Sequence, residues 1–224
     1  MDKTWEPAKL DLALSAGIAL AFPFVAGFLY LRTGAFLPML LYYGLAWGLV
    51  KWRRGSIGYL NPFPPKPPIA FYINLGVIAL SLVCAWLSPI VNPSIQLPGM
   101  LLTALVWAPV NAATEQILWI YLFEAWDLYP KKTAILYRAT GLLFFAAFVG
   151  MIHTFFWTRF LQTVDPGTIF GTLFVVLTSL SGFLHLVVWR QSRQMVFTFI
   201  PHFILNLLPI FWTYYSILPY LFRF

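Results

Sequence analysis

Long apolar stretches separated by short polar loops set the terms for everything else in this chain. They run over about 10–31, 35–50, 69–89, 99–126, 139–158, 167–189 and 194–217. A helix rises about 1.5 Å per residue, so about 20 residues cross a hydrocarbon core of about 30 Å. Inside hydrocarbon the backbone must satisfy its own N–H and C=O groups, and for single apolar runs that means helix. The expectation is an all-α polytopic membrane protein of seven transmembrane helices, or eight if the last stretch splits at Pro209. Composition agrees: of 224 residues 61% are hydrophobic and 9% charged. An ordinary soluble domain carries about a quarter charged residues.

The first stretch, from Leu10 to Leu31, is too long for a cleavable leader, whose apolar region spans roughly 7–15 residues. Asp2, Glu6 and Asp11 also dilute the positive flank made by Lys3 and Lys9. It is expected to be a retained helix. With the N-terminus and the loops after helices two, four and six on one side, that side holds eleven cations. They are Lys3, Lys9, Lys51, Arg53, Arg54, Lys66, Lys131, Lys132, Arg138, Arg190 and Arg193. The other side holds Arg32, Arg159 and, with seven crossings, Arg223. The positive-inside rule then puts the N-terminus in the cytoplasm. The net charge of +7 reads as membrane orientation, and no nucleic-acid partner is implied.

The whole chain, 1–224, is expected to form a single transmembrane domain. Residues 1–98 supply helices one to three and a proline-rich loop at 61–68, a stiff polyproline II connector. Residues 99–224 form the core that carries the candidate chemistry. No internal repeat is visible, which argues against the repeat-built transporter folds. Cys84 is the lone cysteine, so no intrachain disulfide or cysteine metal site is expected.

Helix four holds a carboxylate, Glu115, in the middle of its apolar run. Insertion of a charge there costs about 2.5–3.5 kcal/mol, so such a residue usually has partners and a task. Asn111, Glu115 and Trp119 are spaced by four and share a face. Gln116 lies about 100° round the helix and can border the same space. Glu124 and Asp127, near the cytoplasmic end, read as carboxylates reaching water. His153 sits within helix five, and His202 and Asn206 lie four apart on helix seven, beside Pro201. From the cytoplasmic ends, Glu115 lies about 16 Å deep, His153 about 21, His202 about 12 and Asn206 about 18. His185, close to Arg190, reads as structural. Each polar residue alone can also be packing glue between helices.

A buried carboxylate and an imidazole can hold and deprotonate a water, since burial brings the carboxyl towards a better base. A second His and an Asn supply donors for the oxyanion formed when water attacks an amide. The alternative is a zinc or other divalent ion on Glu115, His153 and His202, although no HExxH is present. A proton-coupled transporter using Glu115 as a relay is a further use of the same residue.

With these residues in view, the chain resembles the CPBP intramembrane proteases, the group that includes CAAX prenyl endopeptidases and bacteriocin-processing or immunity-type, Abi-like proteins. Their first motif, EExxxR with an aromatic before the Arg, is met by Glu115 and Trp119. Gln116 stands at its second Glu and Ile120 at its Arg. FxxxH corresponds to Val149 through His153, and HxxxN to His202 and Asn206. Gly182 to Arg193 resembles the family's basic turn, and the whole likeness spans about Leu101 to Leu208. The resemblance implies a glutamic-type endopeptidase in which Glu115 and His153 activate water and His202 and Asn206 form the oxyanion site. It implies no cofactor, a membrane-protein or lipidated-peptide substrate, and a prokaryotic plasma membrane. The paired loss at 116 and 120 removes one negative and one positive charge together, which is electrostatically consistent. It leaves two outcomes open: a divergent active peptidase, or an inactive relative that binds a partner.

Overall fold

A computed structural model describes residues 5–89, 96–130, 134–161 and 164–222, and every expected apolar stretch in it is helical. Asp2, Lys3, Lys131, Lys132 and Arg223 lie outside the described residues. In chain order the helices are α1 (Lys9–Thr33), α2 (Phe36–Gly44), α3 (Val50–Arg54), α4 (Ile69–Leu87), α5 (Leu97–Leu102) and α6 (Ala108–Asp127). They continue with α7 (Ala134–Phe155), α8 (Ile169–Ser192), α9 (Val196–Leu207), α10 (Ile210–Thr213) and α11 (Leu218–Leu221). Wider π turns, Leu45–Leu49 and Thr103–Trp107, join α2 to α3 and α5 to α6 without a break. No strand occurs among the described residues.

Among the described residues six helical runs are long and apolar enough to cross a membrane: Lys9–Thr33, Ile69–Leu87, Leu97–Asp127, Ala134–Arg159, Ile169–Ser192 and Val196–Thr213. The chain is a polytopic α-helical membrane protein. The stretch at 35–50 became a continuous helix from Phe36 to Arg54, but Lys51, Arg53 and Arg54 charge its last turn. The final stretch ends its long helix at Leu207, and Pro209 starts a short separate one.

Burial runs opposite to that of a soluble protein. Asn74, Ser81, Gln116 and Thr198 are fully buried, whereas Phe28, Leu80, Leu105 and Leu143 lie outside and exposed. That is the arrangement lipid requires. Hydroxyls within the helices bond the carbonyl one turn back, as in Ser81 to Val77 (2.9 Å) and Thr114 to Val110 (2.6 Å). These hydroxyl donors are then not left bare in hydrocarbon.

The chain divides into two compact units, each drawn from separate segments. One comprises Met1–Ile57, Ile117–Phe160 and Tyr220–Phe224. In it α1 packs on α2 and α7. Gly27 is the close point, since a Cβ there would lie 2.7 Å from the Phe155 carbonyl oxygen. Small residues at such crossings let membrane helices approach. Tyr42, Phe148, Phe22 and Trp157 fill the interior with stacked and edge-on rings. Gly34 closes α1 with φ +82, where a side chain would be strained and would collide with the Leu221 carbonyl.

Three ion pairs mark this unit among the described residues. Asp11 is fully buried; Arg53 grips it with Nε and Nη2 at 2.8 and 2.9 Å, and the Tyr121 hydroxyl donates to it at 2.9 Å. Glu124 and Asp127, expected to reach water, are instead drawn into the protein. Glu124 is 1% exposed with Arg54 at 3.7 Å, and Asp127 accepts from Arg138 Nε at 2.6 Å. The C-terminal end of α6 is packed rather than frayed, so its carboxylates needed cations.

The second unit comprises Gly58–Gln116 and Leu161–Pro219. Here α4 packs along α8 and against α9. Ala70, Phe71, Val188 and Phe197 form an apolar cluster at one end of that packing. The 61–68 stretch is free of helix up to Ile69, and Pro68 has φ −67 and ψ 152, in the polyproline II region. Gln194 Nε2 donates to the Asn61 carbonyl at 2.6 Å and Asn61 Nδ2 to the Arg193 carbonyl at 2.6 Å, pinning this loop to the α8–α9 turn. Gly58, with φ +90, is required because a Cβ would sit 2.5 Å from the Trp189 ring.

Candidate functional site

The second unit gathers Asn111, Glu115, Gln116 and His202 into one buried group. The first half of α6 presents Glu115, which is 3% exposed. Asn111 Nδ2, one turn earlier, donates to Glu115 Oε2 at 3.0 Å. His202 Nε2 approaches the same oxygen at 3.2 Å from α9. The Tyr59 hydroxyl caps the Ala113 carbonyl at 2.8 Å, steadying the turn before Glu115. Burial pushes the Tyr59 phenol up, so it stays a donor.

Gln116 Nε2 bonds His202 Nδ1 and lies 3.3 Å from the Thr198 carbonyl. A carbonyl can only accept, so the amide group that faces Thr198 must be the NH₂. It follows that His202 Nδ1 accepts, that the ring proton sits on Nε2, and that this proton points at Glu115. The ring is clamped at both nitrogens.

Three polar atoms here are buried without a hydrogen-bond partner among the described residues: Glu115 Oε1, Gln116 Oε1 and Asn206 Nδ2. Asn206 lies one turn beyond His202 on α9. An orphaned buried polar atom is costly, and its usual explanation is a water or ligand that completes it. A water or an amide group can complete an orphan of either kind, donor or acceptor.

His153 and Trp119 fall in the other unit. His153 Nδ1 meets the Val149 carbonyl one turn back at 2.7 Å, which puts the proton on Nδ1 and leaves Nε2 as the basic nitrogen. The Trp119 ring lies 6.4 Å from the His153 ring, tilted by 50°. Its Nε1 donates to the Tyr42 hydroxyl at 2.9 Å. Among the described residues no three His, Cys, Asp or Glu side chains gather closely enough to hold a metal ion.

The sequence reading missed His185. Rather than sitting at the interface, it is 3% exposed, and its ring centre lies 5.8 Å from that of His202. His185 Nε2 lies 3.0 Å from the same Thr198 carbonyl that Gln116 uses, and Nδ1 lies 2.6 Å from the Ser181 carbonyl. Ser181 Oγ donates to Asn74 Oδ1 at 2.7 Å, so a chain of polar groups runs from α4 through α8 and α9 to α6. The spacing of Ser181 and His185 by four, with Asn74 inside another apolar helix, is the signal that could have found it. Comparison with known proteins returned no match, whether against family models, curated proteins or solved structures.

Proposed function

We propose that this protein is a membrane-embedded endopeptidase of the glutamic type, of the kind its motifs resemble. The observation that carries the reading is the Glu115–His202 contact, clamped by Asn111 and Gln116, with Glu115 Oε1 left unpartnered. A water held on Oε1 gives its proton to the carboxylate as its oxygen attacks the peptide carbonyl carbon. The Asn206 amide donates to the oxyanion that forms. Collapse breaks the C–N bond, and Glu115 returns the proton to the departing amine. His202 donates from Nε2 throughout, orienting the carboxylate.

This assigns His202 to Glu115 rather than to the oxyanion role that the resemblance implies. The share in water activation that the resemblance gives His153 rests on the resemblance alone and is tested separately. The chemistry calls for no cofactor, and the substrate is a membrane protein or lipidated peptide entering from the bilayer. Seven crossings with a cytoplasmic N-terminus, in a prokaryotic plasma membrane, complete the proposal, with Phe36–Arg54 as the seventh helix.

The test is cleavage of membrane and prenylated peptides by purified protein in vesicles. Glu115→Gln is expected to lower the rate by about 10²–10⁴-fold, the usual range for a general base. Asn206→Ala is expected to lower it by about 10²–10³-fold. His153→Ala tests the second base independently. Activity is expected to survive a strong chelator, whereas its loss, restored by zinc, would install the metal reading instead.

A non-catalytic, partner-binding protein is favoured by one observation: both bonds to Glu115 Oε2 come from the protein's own side chains. Under that reading no cleavage is seen, and Glu115→Gln keeps the cellular phenotype.

A further inference from the structure

We propose that Gln116 sets the tautomer of His202, and so aims its single ring proton at Glu115. Gln116 is fully buried on α6, and its amide is fixed by a main-chain group it cannot turn away from. Were the amide reversed, Gln116 Oε1 would stand 3.3 Å from the Thr198 carbonyl oxygen, two acceptors face to face. Held as it is, the nitrogen offers hydrogens to both Thr198 O and His202 Nδ1. Nδ1 is then an acceptor, and Nε2 must carry the proton that meets Glu115 Oε2 at 3.2 Å.

His185 abuts the same anchor: its Nε2 lies 3.0 Å from the Thr198 carbonyl, while its Nδ1 lies 2.6 Å from the Ser181 carbonyl. Gln116 Oε1 has no hydrogen-bond partner among the described residues, so only the nitrogen side of this amide is engaged. A glutamate at this position has no hydrogen for Nδ1 when ionised, and would set a carboxylate oxygen against Thr198. Glutamine is therefore a positioning residue in its own right. The tautomer stands on geometry alone, and its use in hydrolysis rests on the function proposed above.

The experiment is nitrogen-15 NMR of the full chain in lipid nanodiscs, labelled at histidine and glutamine. With three histidines in the sequence, substituting each in turn assigns the ring signals. In the unsubstituted protein, His202 is expected to show a protonated Nε2 and a bare Nδ1, with coupling across the hydrogen bond to the Gln116 side-chain nitrogen. Gln116→Met is expected to abolish that coupling and shift the Nδ1 signal. In Glu115→Gln the proton should stay on Nε2, because Gln116 still holds Nδ1. In the double variant Glu115→Gln, Gln116→Met, it should divide between the two nitrogens. A proton on Nδ1 of the unsubstituted protein, or its move to Nδ1 in Glu115→Gln alone, overturns the proposal.

A cleavage assay adds the catalytic arm: Gln116→Met should lower kcat with KM unchanged. If the chain cleaves nothing, the peptidase reading fails while the spectra still decide the tautomer. If Gln116→Met cleaves with unchanged kcat while the spectra shift as expected, the tautomer stands and its catalytic use falls.

Discussion

Glu115 shows how a membrane interior tolerates a carboxylate: two donors, Asn111 Nδ2 and His202 Nε2, converge on one of its oxygens. Removing one should leave a buried acceptor short of a partner, which costs about 1–3 kcal/mol. Asn111→Ala is therefore expected to lower the unfolding free energy by that order, read by SDS titration of refolded protein, while Asn111→Asp should cost more by setting two carboxylates together. An unchanged Asn111→Ala protein would mean that the Asn111 bond contributes nothing. The i, i+4 spacing of Asn111 and Glu115 was legible in the sequence, because helical period alone puts them on one face. The pairing of Glu115 with His202 was not. It depends on how α9 is rotated about its own axis, and period says which residues share a face but not what that face meets. His185 was lost for the same reason: its distance in sequence from Arg190 suggested an interface, while packing on α4 and α9 drew it inside.

Helices α4, α8 and α9 are joined by few polar links, and these set how the helices face one another. Ser181 on α8 donates to Asn74 on α4 at 2.7 Å, and His185 on α8 reaches Thr198 on α9 at 3.0 Å. Hydrogen bonds between membrane helices are worth about 0.6 kcal/mol on average and about 1.7 at most. Asn74→Leu should cost about that much in stability by SDS titration, and it should also loosen α8 enough to broaden the His185 signals. No loss and no broadening would show that apolar packing alone fixes the rotation of these helices. Pro201 adds a local effect. It has no N–H for the Phe197 carbonyl, so α9 is freed of one internal bond in the turn before His202. The helix bounds themselves were legible to within a few residues, as 69–89 against Ile69–Leu87 and 167–189 against Ile169–Ser192 show. The π turns at Leu45–Leu49 and Thr103–Trp107 were not, because a π turn shares the apolar pattern of the helix around it.

For the molecule as a whole, the open question of number reduces to one helix. Among the described residues six runs meet the length and polarity of a crossing, and Phe36–Arg54 is the seventh candidate, apolar to Val50 and then cationic. At about 1.5 Å per residue, its 36–50 portion covers about 22 Å, short of the hydrocarbon core. Lys51, Arg53 and Arg54 must then lie at the headgroups, where long basic side chains reach water. Arg53 is held there by Asp11, which starts α1, so both helix ends belong to the same membrane face. That pairing is what the proposed hairpin of two crossings, α1 and Phe36–Arg54, requires. In a Cys84→Ser background, Phe63→Cys should react with a membrane-impermeant maleimide only after the vesicles are opened from the cytoplasmic face. Glu6→Cys, ahead of α1, should react under the same conditions, because two crossings separate it from Phe63. Both sites are exposed, so access reports sidedness rather than burial. If the two cysteines react from opposite sides, the helix from Phe36 to Arg54 does not cross, and the count falls to six.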